Sequence, residues 1–392
     1  MIDLQTARAY MHENHIQGWL ICDFRGSNPV LWQVLGQKKW TTRRCFLWVP
    51  AAGEPRALAH TIDRNQFAGT DLALELYVSW PEMRIKLGEL LAGQARVAVE
   101  YSPGGAIPAV SWVDGGTIDL LRGLGVEVCS SADLFQVAAA TWSPAALASH
   151  LRACLEVAAV KDAAFEYIRR AVREGKPLTE YDVQEAMVQD FQRRGLELEG
   201  RPIVGVNANS GNPHYEPRED VHLPIGPGDW VLLDLWGRFA GDEGVFADIT
   251  WVGFVGAEVP EKYRTVFDIV RRARDAAVER LEAAWKQGET LQGWQPDQVA
   301  RQVIEAEGYG PYFVHRTGHS LGPGPSAHGL GVNLDDLETH DTRMVVPGVG
   351  FSVEPGIYLP EFGVRSEINV FMHPERGPLV TTPVQEEIVR LA

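Results

Sequence analysis

Cysteine is scarce. The 392 residues contain four: Cys22, Cys45, Cys129 and Cys154, with no C-x-x-C pair among them. That scatter argues against a thiolate zinc site, and thiols so placed are expected to be reduced. All four precede residue 155, so chemistry in the C-terminal part is not cysteine chemistry. Positive charge is also short, with 36 Lys and Arg against 52 Asp and Glu, a net −16. This argues against nucleic acid or an anionic membrane as the main partner. No apolar run approaches the roughly 18 residues of a membrane span. The start, M-I-D-L-Q-T-A-R-A-Y, lacks the basic and apolar regions of a secretory signal, so a cytoplasmic location is expected.

What is present is an ordinary folding composition, 45% hydrophobic and 22% charged, in a chain long enough for two domains. Up to about residue 140, short helices and strands alternate. Residues 4–15 are helical in character, G-W-L-I-C-D is a buried strand, and R-C-F-L-W-V-P and P-R-A-L-A-H flank the turn at 51–54. A-R-V-A-V-E-Y is a further strand. Trp19, Trp32 and Trp40 are expected in the core. An α/β domain over residues 1–140 follows, with no nucleotide-type glycine loop. Ser143 before Pro144 then opens a helix, and the grammar changes to α+β over 141–392.

That second part repeats itself. Helices over 145–174 and from Thr179 to about Gly195 precede the β-rich W-V-L-L-D-L-W-G and V-F-A-D-I-T-W-V-G-F-V. A long helix after Pro260 and a shorter one after Pro296 precede F-S-V-E-P-G-I-Y-L and G-V-R-S-E-I-N-V-F. Helix–helix–hairpin occurs twice, which predicts an internal duplication. The acids repeat with it: Asp234 and Asp248 on the first hairpin, Glu354 and Glu367 on the second, 120 and 119 positions apart. The first pair is symmetric about Gly241 and the second about Pro360–Glu361, so each pair is expected to face across its hairpin. Carboxylates side by side in apolar strands need a cation between them. H-R-T-G-H supplies His315 and His319, and S-A-H-G supplies His328. Four carboxylates with an imidazole suit two divalent ions, manganese or cobalt before zinc.

V-L-L-D-L, A-D-I-T-W, H-R-T-G-H, S-V-E-P-G-I-Y and G-V-R-S-E resemble the signature blocks of the pita-bread metallopeptidases, in family order. The preceding domain resembles the creatinase-type domain of the proline-specific branch. The resemblance implies a pita-bread catalytic domain over 141–392 with Asp234, Asp248, His319, Glu354 and Glu367 as metal ligands. Asp248 and Glu367 would bridge, Asp234 would hold one ion, and His319 with Glu354 the other. It implies Glu354 as proton shuttle and His328 as the group steadying the scissile carbonyl. His214, in N-P-H-Y-E-P, matches the substrate-side histidine. His315 is a candidate substrate contact, and Arg365 a partner of the ligand carboxylates with a place beside the substrate. The implied activity is dinuclear hydrolysis of the Xaa-Pro bond of dipeptides by a homodimer. Xaa-Pro aminopeptidase action on longer peptides is the alternative. Metal-free or non-catalytic members of the fold are disfavoured because all five ligand types are intact.

Two loops are longer than the family pattern. The segment 239–245 carries about three extra residues, including Asp242 and Glu243, and 322–327 carries an inserted G-P-G-P. A dipeptidase must also hold the free carboxylate of proline, which arginine does best through paired hydrogen bonds. Some prolidases place that arginine four residues after the histidine matching His328, where this chain has Val332. Arg316 and Arg343 are nearest, and Arg343 in T-H-D-T-R is the expected anchor. The alternative for Arg343 is an ion pair with Asp341 or Glu338.

Overall fold

The computed structural model describes residues 2–392. The chain divides into two compact units, Met1–Ala139 and Ala140–Ala392.

The first unit is built on one mixed sheet of β1 (Gly18–Asp23), β2 (Cys45–Pro50), β3 (Arg56–His60), β4 (Ala73–Tyr77), β5 (Arg96–Val99) and β6 (Glu127–Ser130), in the order β4-β3-β2-β1-β5-β6. Its central strands are apolar on both faces because both faces are covered. Helices α1 (Leu4–Glu13), α2 (Val30–Val34) and α5 (Ala132–Ala139) pack with Trp19, Ile21 and Leu47 on one side. Helices α3 (Trp80–Leu90) and α4 (Gly115–Gly123) pack with Leu20, Phe46 and Trp48 on the other. Gly18 admits the Trp48 ring, which a Cβ there would meet at 2.3 Å. Trp19 and Trp32 are core residues, but Trp40 is exposed.

The second unit contains the repeat. Helices α6 (Pro144–Arg173) and α7 (Glu180–Arg193) precede β7 (Leu196–Glu197), β8 (Ile203–Val206), β9 (Trp230–Phe239) and β10 (Ala247–Phe254). Helices α8 (Glu261–Gln287) and α9 (Trp294–Ala306) precede β11 (Ser320–Leu321), β12 (Gly350–Val353), β13 (Gly356–Tyr358), β14 (Gly363–Arg365), β15 (Ile368–His373), β16 (Gly377–Val380) and β17 (Val389–Arg390). Local signals set the helix ends. The Ser143 hydroxyl accepts from Ala146 N at 3.0 Å, Thr179 and Asp182 form a reciprocal capping box, and Gly288 closes α8 with φ 66°. Helix α9 begins at Trp294, two residues before the expected Pro296.

Period-2 alternation decides where the acids point. Val231, Leu233, Leu235, Ala247 and Ile249 pack under α6 and α7, so Asp234, Asp248 and Thr250 share the opposite face. In the second half Phe351, Val353, Ile368 and Val370 pack under α8 and α9, so Ser352, Glu367 and Asn369 point away from those helices. The two strand layers meet along β10 and β15, where Asn369 and the Asp248 backbone exchange bonds of 2.9 and 2.8 Å. Among the described residues no helix is long and apolar enough to cross a membrane.

The first hairpin corrects one expectation. Its pairing is centred on residue 242, with Asp234 opposite Thr250 and Asp248 opposite Trp236. The two aspartates are diagonal neighbours, because the turn takes up two more residues than symmetry about Gly241 allows. A two-residue slip keeps every side chain on its face. The second hairpin keeps the expected centre, from Gly350↔Phe371 to Tyr358↔Gly363, but its ladder is interrupted at 354–355 and 366–367. The interruption falls on the two glutamates.

One buried acid lies in the first unit. Glu100 is 2% exposed and accepts from Trp19 Nε1, from Asn28 Nδ2 at 2.7 Å and from Ser131 Oγ at 3.1 Å. Burial outweighs these donors and raises its pKa from 4.5 to about 7. The resulting stabilisation is complete below 4.5 and is lost as pH rises through about 7. Urea titrations are expected to show the first unit less stable at pH 8 than at pH 5, by on the order of 3 kcal/mol. Glu100→Gln should flatten that difference.

Candidate metal centre

Asp248, His319 and Glu367 bring one donor atom each to within 4.8 Å of one another, all three buried. His319 Nε2 lies 3.5 Å from Asp248 Oδ2 and 3.6 Å from Glu354 Oε1. Its other nitrogen, Nδ1, faces the Ser320 carbonyl at 3.1 Å. A carbonyl only accepts, so Nδ1 carries a proton. Burial alone would lower the ring's pKa, but Asp248 and Glu354 outweigh it and raise it. A cation at Nε2 would instead hold the ring neutral. Asp234 and Glu354 flank the cluster, and Glu354 accepts from Ser352 Oγ at 3.0 Å.

The one guanidinium inside this group is Arg365. Its Nη2 donates to Asp234 Oδ2, its Nε to Thr250 Oγ1 at 2.8 Å and its Nη1 to Tyr358 OH at 3.0 Å. The Thr250 hydroxyl donates to Glu367 Oε2 at 2.7 Å and lies 3.2 Å from Asp234 Oδ1. On the far side the Tyr358 hydroxyl meets His315 Nε2 at 2.7 Å, while His315 Nδ1 faces the Arg316 carbonyl at 2.7 Å. Both ring nitrogens of His315 are therefore engaged. Burial lowers its pKa, so it sits neutral at the end of a hydrogen-bonded chain reaching Glu367.

The electrostatics are short of positive charge. Burial raises Asp234 to about 6 even though Arg365 pulls it down. Burial also raises Asp248, and burial with the neighbouring acids raises Glu367 well above its ordinary value. Burial alone would raise Glu354, but His319, His315 and Arg365 outweigh it. Three buried acids, the half-buried Glu354, one guanidinium and one imidazole fit divalent cations, which would supply the missing charge and take the imidazole lone pair.

The cluster forms the floor of a cavity of about 350 Å³ whose walls include His214, His315, Arg316, His328 and Glu338. Every candidate ligand, with His214, His315, His328 and Arg365, lines it. The His328 ring lies against His319 at a tilt of 32°, with centroids 4.1 Å apart, and its Nδ1 is 3.5 Å from Arg316 Nη2. Burial against its neighbours, then His319 and Arg316, lower its pKa to about 4. A donor facing Nδ1 leaves the proton on Nε2.

Arg343 is not there. It is 3% exposed, and its Nε and Nη2 bind Asp341 at 3.0 and 2.6 Å while Nη1 binds the Leu330 carbonyl at 3.0 Å. With its fork spent on Leu330 and Asp341 it is not free to anchor a substrate, and the expectation placed on it is corrected. The 333–343 loop brings Glu338 to the cavity instead, and the arginine lining it beside Arg365 is Arg316.

The two longer loops meet each other. Val245 bridges Pro323, and Gly324 N donates to the Gly244 carbonyl at 3.2 Å. Asp242 and Glu243 stand exposed at the tip, where Glu243 accepts from Ser143 Oγ at 2.6 Å. Gly318 also has a packing reason, since a Cβ would meet the Ser352 carbonyl oxygen at 1.9 Å. Asp248→Ala is expected to lower metal content measured by elemental analysis, whereas Asp242→Ala and Glu243→Ala leave it unchanged. Gly318→Ala should cost about 1–3 kcal/mol of stability by overpacking and lower metal content by displacing His319.

The sequence profile of metallopeptidase family M24 matches residues 152–374. An Xaa-Pro dipeptidase of Lactobacillus helveticus is 32% identical over 204 residues, 52% of this chain and 49% of that protein. The match thus spans about half the length of the curated relative. A crystal structure of dipeptidase PepE from Mycobacterium ulcerans superposes with a TM-score of 0.65 at 23% identity, covering 99% of this chain and 96% of that one. The X-prolyl aminopeptidase of Caenorhabditis elegans, titled a cytosolic enzyme with a di-nuclear active site, superposes with a TM-score of 0.62 at 14% identity, covering 99% of this chain and 63% of that one.

Proposed function

Because the chain belongs to metallopeptidase family M24 and its second unit has the pita-bread fold, we propose that it is a dinuclear metal-dependent peptidase cleaving Xaa-Pro dipeptides. The observation that carries this reading is the convergence of Asp248, His319 and Glu367 within 4.8 Å, flanked by Asp234 and Glu354. Asp248 and Glu367 would bridge two ions, Asp234 would complete one site, and His319 with Glu354 the other. One imidazole against four carboxylates favours manganese or cobalt over zinc. Such ions, when bound, supply an activated water and a Lewis acid for the scissile carbonyl.

The chain's own residues supply the rest. Glu354 takes the proton of the attacking water and passes it to the proline nitrogen, which must be protonated to leave. His328 donates from Nε2 to the carbonyl oxygen as charge develops there. His214, exposed on the cavity wall, orients the substrate beside it. Arg365 keeps Asp234 ionised and, through Thr250, orients Glu367. A cavity of about 350 Å³ is at the small end for ligand sites, which supports dipeptides over the aminopeptidase alternative.

Residues 1–140 are read as the creatinase-type domain, a reading supported by the helix-covered mixed sheet. Four free cysteines support a cytoplasmic setting. A homodimer is carried over from the family resemblance, and sedimentation measures it. Chelation is expected to abolish Xaa-Pro hydrolysis and manganese or cobalt to restore it. Full activity in protein shown by elemental analysis to be metal-free would overturn the mechanism. Glu354→Ala should lose about 10³-fold or more in kcat, and faster cleavage of Xaa-Pro-Yaa than of Xaa-Pro would favour the aminopeptidase.

A further inference from the structure

Helix α8 carries an arginine where its surroundings suit an apolar side chain. Arg274 is fully buried, on the helix face that packs through Val266, Val270, Ala273 and Ala277. Taking a guanidinium out of water is costly, and replacing a buried ion pair by apolar side chains is often neutral or stabilising. Stability alone therefore does not call for this residue. Its donors are spent in two directions. Nε and Nη2 donate to Asp275 Oδ1 at 2.9 and 2.7 Å, toward a carboxylate whose side chain is 35% exposed. Nη1 donates inward, to Ser366 Oγ at 2.9 Å and to the Gln385 carbonyl at 2.8 Å.

Both inward partners lie behind the acid cluster. Ser366 stands between Arg365 and Glu367, where the second hairpin loses its ladder. Arg365 and Glu367 line the cavity, and alternation turns the Ser366 side chain the other way, toward α8. The main chain holds this point loosely. Ser366 N reaches the Pro355 carbonyl at 3.4 Å, and Glu367 N the Thr250 carbonyl at 3.2 Å. The bond from Arg274 is shorter than either. Gln385 is buried and braces β10 in the same way: its Oε1 accepts from Val252 N at 2.9 Å, and its Nε2 donates to the Val252 carbonyl at 2.7 Å. Val252 lies two residues from Thr250, whose hydroxyl joins Arg365 to Glu367. One guanidinium thus ties together, from behind, the two segments that frame the cluster.

We propose that Arg274 is a positioning residue for the metal centre. Through Ser366 and Gln385 it fixes the backbone that aims Arg365, Glu367 and Thr250 at the acids, and so sets how tightly the centre holds its ions. The proposal deepens the metallopeptidase reading and rests on it.

Wild type, Ser366→Ala, Arg274→Gln and the double variant are stripped with chelator, melted in the metal-free state, and titrated calorimetrically with manganese chloride. Ser366→Ala removes one hydroxyl and leaves every charge in place. It is expected to weaken manganese binding roughly 10-fold, in the range found for groups that orient metal ligands, while melting close to the wild type. Arg274→Gln should weaken binding further. The double variant should bind no more weakly than Arg274→Gln, because the serine acts through the arginine. A brace of the fold alone would lower the metal-free melting temperature and leave the manganese affinity of the folded protein unchanged. That result overturns the proposal, and so do losses that add in the double variant. If Arg274→Gln does not fold, Ser366→Ala against the wild type decides. Crystal structures of the metal-free wild type and Ser366→Ala supply a readout without ions or turnover. Displacement of Glu367 from Thr250, or of Arg365 from Asp234, is expected in the variant, and unchanged side chains overturn the proposal. A wild type that binds manganese but cleaves no Xaa-Pro peptide removes the peptidase reading and leaves the affinities to decide the role of Arg274. A wild type that binds no divalent ion removes the metal reading, and the metal-free structures then decide it.

Discussion

Four carboxylates, three of them buried, repel one another around one cavity, and the second unit is arranged around that repulsion. Arg365 is its internal answer. It is buried, it binds Asp234 directly, and it reaches Glu367 through Thr250. Tyr358 and His315 hold it from behind. One guanidinium answers one negative charge, and the remainder is the physical case for divalent ions. The helix pairs serve the same arrangement from outside, each covering the apolar face of its own strands so that the acids are left facing inward.

The fold was legible where the signals were local. Capping residues at Ser143 and Thr179, Gly288 after α8, and alternation through W-V-L-L-D-L-W-G place the repeat and decide which face each acid takes. Signals that depend on turn geometry were not legible. Symmetry about Gly241 missed the true centre by one residue, because the turn conformation is set by contacts with the 322–327 loop, far away in the chain. The break in the second hairpin at the two glutamates leaves no mark in composition or periodicity. Trp40 follows the same rule: its exposure depends on what happens to cover it, which its neighbours in sequence do not state.

The site was legible as a set of residues and less so as a set of partners. Side chains that share a strand face in a duplicated pattern announce themselves by spacing. Arginines do not, because a long flexible side chain is assigned by whichever acid lies near it. Arg343 pairs with an acid two residues away inside a buried loop network, and nothing in T-H-D-T-R separates that outcome from a reach across the cavity. Arg316 sits within H-R-T-G-H, yet its partner on the cavity wall is Glu338, 22 positions on.

The cluster also joins residues distant along the chain. Thr250 meets Glu367 across 117 positions and Arg365 meets Asp234 across 131. Each hairpin brings only two of the candidate donors, so the full set assembles only when both halves of the second unit have folded together. Ions held there would favour the native second unit and stabilise it by mass action. A chelator that strips them through the open cavity would therefore also lower the unit's resistance to unfolding, by the free energy their binding supplied.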